Sequence, residues 1–452
     1  MSDSAVAQSK TGGGGLVLAV IYVTCLFFIW AFVTNLVDPL IKSMMVIYHL
    51  NTFEAMLNQF AFFLAYFVMS LPSAWLLSRI GYAKSIIVGL LGIVAGCLIA
   101  WSTVYFHEFA TVLLGLFVAA SGITLLQVAA NPLISSMGDM KSSHFRLNLS
   151  QAFNSLGAFA GGQFGNFFLL KGPLFDKNIT PTTEMKDAGL HFVTNVYLEI
   201  AAVLAVFIIA IFLVRNVIAN NAPQTVANAP SPLKALTSKW ANLGSLAIFL
   251  YVGAEVAVIS GLLLFLEQDQ ILNVPTQVAG AIAPFFMLFA MIGRFVGSAL
   301  LRFFKATTML ALVATCAAVL CAVVIALNNP HPVAMGGTVN WFGTIIPMTT
   351  GVVAGFAAVL IGLFNSIMFP TIFTLTLERS TAPASATSGL MCMAIFGGGV
   401  LPPIFGLVAD ATGSKSIAFI VPLVCYLYVL WFAFAANKAP VHAIEEGVTG
   451  GH

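Results

Sequence analysis

The chain has 452 residues, of which 60% are hydrophobic and only 8% charged, with a mean hydropathy of +1.00. A soluble domain is about 25% charged, so this composition excludes an ordinary water-facing surface and leaves a polytopic membrane protein. The net charge of +2 carries no nucleic-acid signature, and no nucleic-acid partner is expected.

Residues 1–15 are polar and end in Gly12 to Gly15, which reads as an N-terminal tail. No cleavable signal peptide is expected, because the apolar segment that follows is too long for a signal h-region. A spanning helix needs about 20 mostly apolar residues. Twelve such segments follow, near 16–47, 54–77, 82–102, 107–137, 147–170, 190–214, 242–266, 276–301, 307–327, 344–378, 384–410 and 416–436. The fold class is therefore an all-α membrane protein with twelve transmembrane helices.

The first segment carries Asp38 within the run from Phe27 to Leu40. A carboxylate at membrane depth costs roughly 2.5–3.5 kcal/mol. Asp38 thus reads as a group that handles a proton, a cation or a polar ligand. The structural alternative is a pairing with Lys42, one helical turn on. Asn35 lies beside it, and Gln59 follows in the second segment. The fourth segment holds Gln127 and Asn131, four apart and so on one helix face. The fifth holds Gln151 and Asn154, three apart and likewise on one face. Asn365 lies in the tenth. Each such amide costs free energy in hydrocarbon unless it is hydrogen-bonded. Neutral amides both donate and accept, which suits the hydroxyl ring of a sugar. The competing reading of each amide is interhelical glue. Trp30 and Phe153 are candidate stacking surfaces.

Residues 215–241 contain Asn220-Asn221-Ala222-Pro223 and Ala229-Pro230-Ser231-Pro232, which are loop signals. They divide the chain into an N-terminal six-helix bundle (16–214), a cytoplasmic linker (215–241) and a C-terminal six-helix bundle (242–436), with a tail at 437–452. The seventh segment carries a second buried acid, Glu255. In the eighth, Arg294 is expected to snorkel toward the cytoplasm and hold the inner gate rather than touch substrate. In the eleventh, Gly397-Gly398-Gly399 with Pro402-Pro403 suits close packing or bending.

With the N-terminus inside, inner loops and tails hold 12 Lys and Arg against 5 outside, with Arg294 left within a segment. This bias places both termini in the cytoplasm. The two halves repeat weakly. Ala74-Trp75-Leu76-Leu77-Ser78-Arg79 echoes Ser298-Ala299-Leu300-Leu301-Arg302. Gln127 precedes Pro132 by five positions, as Asn365 precedes Pro370. Asp38 and Glu255 occupy the first segment of each half. Duplicated halves suggest alternating access around a site between them. All six cysteines fall in apolar segments and read as packing. No phosphate loop, metal motif or catalytic constellation appears, so no enzyme activity and no cofactor are expected.

The run Gly122-Ile123-Thr124-Leu125-Leu126-Gln127-Val128-Ala129-Ala130-Asn131-Pro132 is one recognisable element, and Arg146-Leu147-Asn148-Leu149-Ser150-Gln151-Ala152-Phe153-Asn154-Ser155-Leu156-Gly157 is another. Together with Asn35-Leu36-Val37-Asp38 and Gly293-Arg294-Phe295-Val296-Gly297-Ser298, they resemble the fucose–proton symporter family of the major facilitator superfamily. The likeness runs from about residue 25 to about 430. It implies two coupling acids, one matched by Asp38 and the other a Glu at the position held here by Gln127. That departure, with the Val-Gly-Ala-Glu-Val run at Glu255, is more similar to the glucose/galactose members.

The expectation is secondary active symport of a monosaccharide of glucose, galactose or mannose type with H⁺ or Na⁺. Asp38 and Glu255 would serve as ion-coupling groups. Asn154, Gln151, Gln127, Asn131, Gln59, Asn35 and Asn365 would be sugar-binding residues. No metal site is assigned, although Na⁺ near Asp38 is a candidate. The alternatives are a fucose or N-acetylglucosamine symporter, a sugar uniporter, or a proton-driven drug exporter. The expected setting is a bacterial inner membrane, with the protein acting as a monomer in the lipid bilayer.

Overall fold

The computed structural model describes residues 13–48, 52–169, 182–223, 231–274, 278–279, 282–329, 331–341 and 344–442, and describes their side chains except at 13–14, 36–46, 52–59, 140, 165–169, 183 and 341. The spans in chain order are α1 (Gly13–Tyr48), α2 (Thr52–Ile80), α3 (Tyr82–Trp101), α4 (Phe109–Ser136), α5 (Ser143–Leu169), α6 (Thr183–Asn220), α7 (Lys239–Leu266), α8 (Phe285–Leu300), α9 (Ala306–Ala326), α10 as α10a (Thr350–Asn365) and α10b (Met368–Leu377), α11 as α11a (Ala384–Met393) and α11b (Gly397–Thr412), and α12 (Ile420–Asn437). Among the described residues, ten of these are long and apolar enough to cross a membrane by composition alone. The other two are α5, which carries the amides, and the shorter α8.

Two departures from the sequence expectation have local causes. The tenth helix begins at Thr350 rather than near 344. Residues Thr344–Thr349 instead form strand β2, antiparallel to β1 (Ala334–Trp341). Thr349 then caps the helix, its hydroxyl accepting from the Val352 amide at 3.2 Å. The stretch expected as a loop after residue 214 keeps helix to Asn220, and Pro232–Thr237 forms a 3-10 turn entered by proline.

Small residues bring the helices together. Gly157 and Gly161 of α5 set their Cα atoms against the Phe28 and Phe32 carbonyls of α1. Gly397 of α11 does the same at the Phe249 carbonyl of α7. The two contacts correspond under a six-helix shift, as duplicated halves require. Between α3 and α4, a Cβ on Gly122 would lie 2.5 Å from the Gly89 carbonyl oxygen. Without a hydrophobic drive between helices in lipid, such close approach supplies the packing energy. A 3-10 turn at Ala394–Phe396 interrupts α11 just before the Gly-rich segment.

The first six helices meet the last six through α2 against α11a, α4 against α11a, and α5 against α8 and α10b. Besides the Ser388 hydroxyl, which donates to the Val128 carbonyl at 2.8 Å, and Arg294, which reaches α5, a cluster of hydrogen bonds crosses this seam at the end where α5 begins and α10b finishes. Ser143 Oγ donates to Glu378 Oε1 at 2.9 Å, and Asn148 Nδ2 donates to Thr371 Oγ1 at 3.3 Å. His144 Nε2 lies 3.1 Å from Glu378 Oε1, and its Nδ1 pairs with the Thr374 hydroxyl. The seam is therefore closed at the end of the bundle that carries both chain termini.

Candidate functional site

A cavity of about 220 Å³ lies between the halves, beyond the closed end. Each half supplies a different chemistry. From the first half come Trp30 and Asn35 of α1, Tyr66 of α2, Gln127 of α4, and Gln151 and Asn154 of α5. From the second come Glu255 of α7, Arg294 of α8 and Phe369 of α10b. Neutral hydrogen-bonding groups thus face an acid and a guanidinium.

The amides are held in place by their own helices and neighbours. Asn35 Nδ2 donates to the Ala31 carbonyl at 2.9 Å, and Thr34 Oγ1 to the Trp30 carbonyl at 2.7 Å. Gln127 Nε2 donates to the Tyr66 hydroxyl oxygen at 2.6 Å. Asn154 Nδ2 donates to the Phe27 carbonyl at 3.1 Å, where Gly157 brings α1 and α5 together. Gln151 Nε2 donates to Asn131 Oδ1 at 3.3 Å. Asn131 is fully buried and stands behind Gln151 rather than on the cavity wall. Asn365 is also fully buried, and its carbonyl accepts from the Tyr251 hydroxyl at 2.9 Å. The structure therefore brings Asn35, Gln127, Gln151 and Asn154 to one cavity and sets Asn131 and Asn365 behind it. The side chains of Asp38 and Gln59 lie outside the described residues.

Glu255 and Arg294 face one another, with Arg294 Nη2 3.8 Å from Glu255 Oε1. That is an ionic contact too long for a hydrogen bond. Arg294 does not snorkel away from the cavity. Its Nε donates to the Ser366 carbonyl at 3.0 Å in its own half, and its Nη1 reaches the Ser155 hydroxyl on α5 in the other. The reason lies in α10, whose helix breaks between Asn365 and Met368 and leaves the Ser366 carbonyl as an acceptor. One guanidinium thus ties the acid to both halves. Of the two stacking candidates, Trp30 lines the cavity, packed on Phe27 with ring centroids 4.3 Å apart. Phe153 points away and packs edge-on against Phe295.

The closed end is the part that sequence reasoning missed. Glu378 and Arg379 are both buried, although they follow directly on an apolar helix. Arg379 Nε donates to the Ala436 carbonyl at 2.8 Å, and its Nη1 lies 3.3 Å from Glu378 Oε2. The backbone N–H of His442 donates to the Glu378 carbonyl at 2.6 Å. Burial pushes the Glu378 carboxyl up. The His144 hydrogen bond and charge, the Ser143 hydroxyl and the Arg379 charge outweigh it and hold the group below its ordinary value. Burial lowers the Arg379 guanidinium from its own usual range. The available signal was an acid–base dipeptide after Thr371, Thr374 and Thr376, a polar end unlike the rest of its helix.

Residues 23–391 match the family model described as the Major Facilitator Superfamily. The chain is 36% identical over 421 residues to the glucose/galactose transporter of Brucella abortus, covering 92% of this chain and 93% of that one. It is 30% identical over 426 residues to the L-fucose-proton symporter of Escherichia coli, covering 90% of each. The crystal structure of the fucose:proton symporter in its outward conformation superposes with a TM-score of 0.78 at 27% identity, covering 94% of this chain and all of the other.

Proposed function

The chain belongs to the Major Facilitator Superfamily, in the branch that holds glucose/galactose transporters and fucose–proton symporters, and we propose that it carries a monosaccharide across the membrane together with a cation. The family is one of transporters, not enzymes. The observation that carries the proposal is the two-sided cavity: neutral amides on one wall and the Glu255–Arg294 pair on the other. Hydroxyls of a hexose of glucose, galactose or mannose type bind to Asn35, Gln127, Gln151 and Asn154, with Asn131 orienting Gln151. Trp30 offers an apolar face to the ring. The cluster of amides argues against a proton-driven drug exporter, whose pocket should be more apolar.

In this reading Glu255 takes the place of the family acid absent at Gln127, and it shares the coupling ion with Asp38. With Glu255 ionised, Arg294 is balanced within the second half while it also holds α5 through Ser155. A proton or Na⁺ at Glu255 removes that balance, leaves the guanidinium without its counter-charge, and frees the seam to rearrange. Neutralising the acid also lowers the cost of closing the cavity around it. The closed terminal end is cytoplasmic by the Lys and Arg bias, so the conformation faces outward. The setting is the bacterial inner membrane, with one chain as the working unit.

The test is uptake in proteoliposomes, imposing a pH gradient and a Na⁺ gradient separately against a panel of hexoses, fucose and N-acetylglucosamine. Gradient-driven accumulation of a hexose is expected. Glu255→Gln should lose accumulation while retaining sugar counterflow. Accumulation at the wild-type level in that variant rules out Glu255 as a coupling group. Uptake driven by neither gradient identifies a uniporter.

A further inference from the structure

A second cavity, of about 420 Å³, opens at the terminal end between the start of α3 and the end of α6, far from the sugar site. Its wall includes Gly81, Tyr82, Lys84, Arg215, Asn216 and Pro223, and among the described residues no acidic one lines it. Arg215 is set at the mouth: its guanidinium lies 3.8 Å over the Phe212 ring, and Nη1 donates to the Phe212 carbonyl at 2.7 Å. Lys84 is exposed on the facing helix. Two cations thus line one concave surface, with no carboxylate among the described lining residues.

Two exposed apolar stripes leave this cavity along the bundle. On α3, Lys84 shares a helix face with Val88, Leu91 and Leu98, which are 40%, 50% and 41% exposed. On α6, Asn216 shares a face with Leu213, Ile209 and Val206, which are 74%, 61% and 70% exposed. The two helices pack side by side. From Val88 to Leu98 the stripe spans about 15 Å, the depth of one leaflet of a hydrocarbon core roughly 30 Å thick. Trp75, half exposed on α2 with Arg79 stacked on it at 5.7 Å, marks the interfacial level at the same end.

We propose that this cavity is a binding site for one anionic glycerophospholipid of the adjoining leaflet. Its phosphate sits between Lys84 and Arg215, and its two acyl chains lie on the α3 and α6 stripes. Charge complementarity selects the headgroup, and the paired stripes distinguish a lipid from a soluble phosphate. The site rests on its own geometry and does not depend on the transported solute.

The experiment is native mass spectrometry of the full chain, stripped of lipid and titrated with phosphatidylglycerol or phosphatidylcholine. Each basic residue near an anionic headgroup gives about a five-fold gain in affinity, so the two together give about 25-fold. Lys84→Gln with Arg215→Gln should weaken phosphatidylglycerol by that factor and leave phosphatidylcholine unchanged. Lys84→Arg should keep the wild-type preference, and an unchanged melting temperature in the double variant shows that it is folded. A loss of less than threefold overturns the proposal. Displacement of phosphatidylglycerol by an equal concentration of glycerol 3-phosphate also overturns it, and assigns the cavity to a soluble anion.

Discussion

The closed terminal end offers the sharpest test of how the conformations are balanced. Glu378 Oε1 meets α5 twice, through Ser143 Oγ at 2.9 Å and His144 Nε2 at 3.1 Å. Both contacts must break when the halves part at this end. Hydrogen bonds to a charged acceptor contribute roughly 1.5–3 kcal/mol each, against about 0.5–1.5 for neutral ones. Glu378→Gln keeps the shape and removes the charge, so the closed end loses about 2–3 kcal/mol over the two bonds. That shifts the balance toward the opposite-facing state roughly 30- to 150-fold. Spin labels on Lys141→Cys and Lys305→Cys, one exposed position at the closed end in each half, report the separation. The background should lack Cys25 and Cys316, the two cysteines that are not buried. The wild type should give one short distance, and the variant a second, longer population. An unchanged distribution in Glu378→Gln refutes the idea that this cluster holds the seam. The pH response follows from the direction of the shift. The carboxyl is held below its ordinary value of 4.5 in the closed state. Its contribution is therefore fully present above that value and is lost as pH falls through the lowered one. The Glu378 carboxylate stays ionised between pH 6 and 8, so its own titration moves no label distance in that range.

Other consequences are measurable in the same preparations. Asn154→Ala removes a donor held at 3.1 Å on the Phe27 carbonyl, and should raise the KM for sugar by about tenfold or more, with melting little changed. A KM within twofold of wild type excludes sugar contact there. Arg294→Lys cannot hold Glu255, Ser366 and Ser155 at once, so coupled uptake should fall while sugar binding persists, as read by uptake alongside a binding isotherm. Gly122→Val places a Cβ 2.5 Å from the Gly89 carbonyl oxygen and 2.7 Å from the Ile93 nitrogen. It should destabilise the α3–α4 pair by about 1–3 kcal/mol, seen as a lower melting temperature in detergent with the sugar KM retained.

Much of this molecule was legible in one dimension. The twelve apolar segments, the weak repeat and the polar residues inside apolar runs are local properties, because the bilayer charges each backbone and side-chain group for its own burial. The amide pairs Gln127/Asn131 and Gln151/Asn154 were readable as shared helix faces for the same reason. Spacing along a helix does not say which member of a pair meets the cavity. Of the first pair Gln127 lines it and Asn131 stands behind Gln151, whereas both Gln151 and Asn154 line it; Asn365 is buried, its backbone carbonyl accepting from the Tyr251 hydroxyl. Nor did periodicity place Arg294, whose position depends on a carbonyl released by the break in α10. The closed end was invisible for a stronger reason: Ser143 and Glu378 are 235 positions apart and belong to different halves. Sequence alone determined that this chain crosses a membrane and carries polar groups inside it. Tertiary structure alone decided which of those groups share a cavity and which lock the halves, because both depend on contacts between helices distant in the chain.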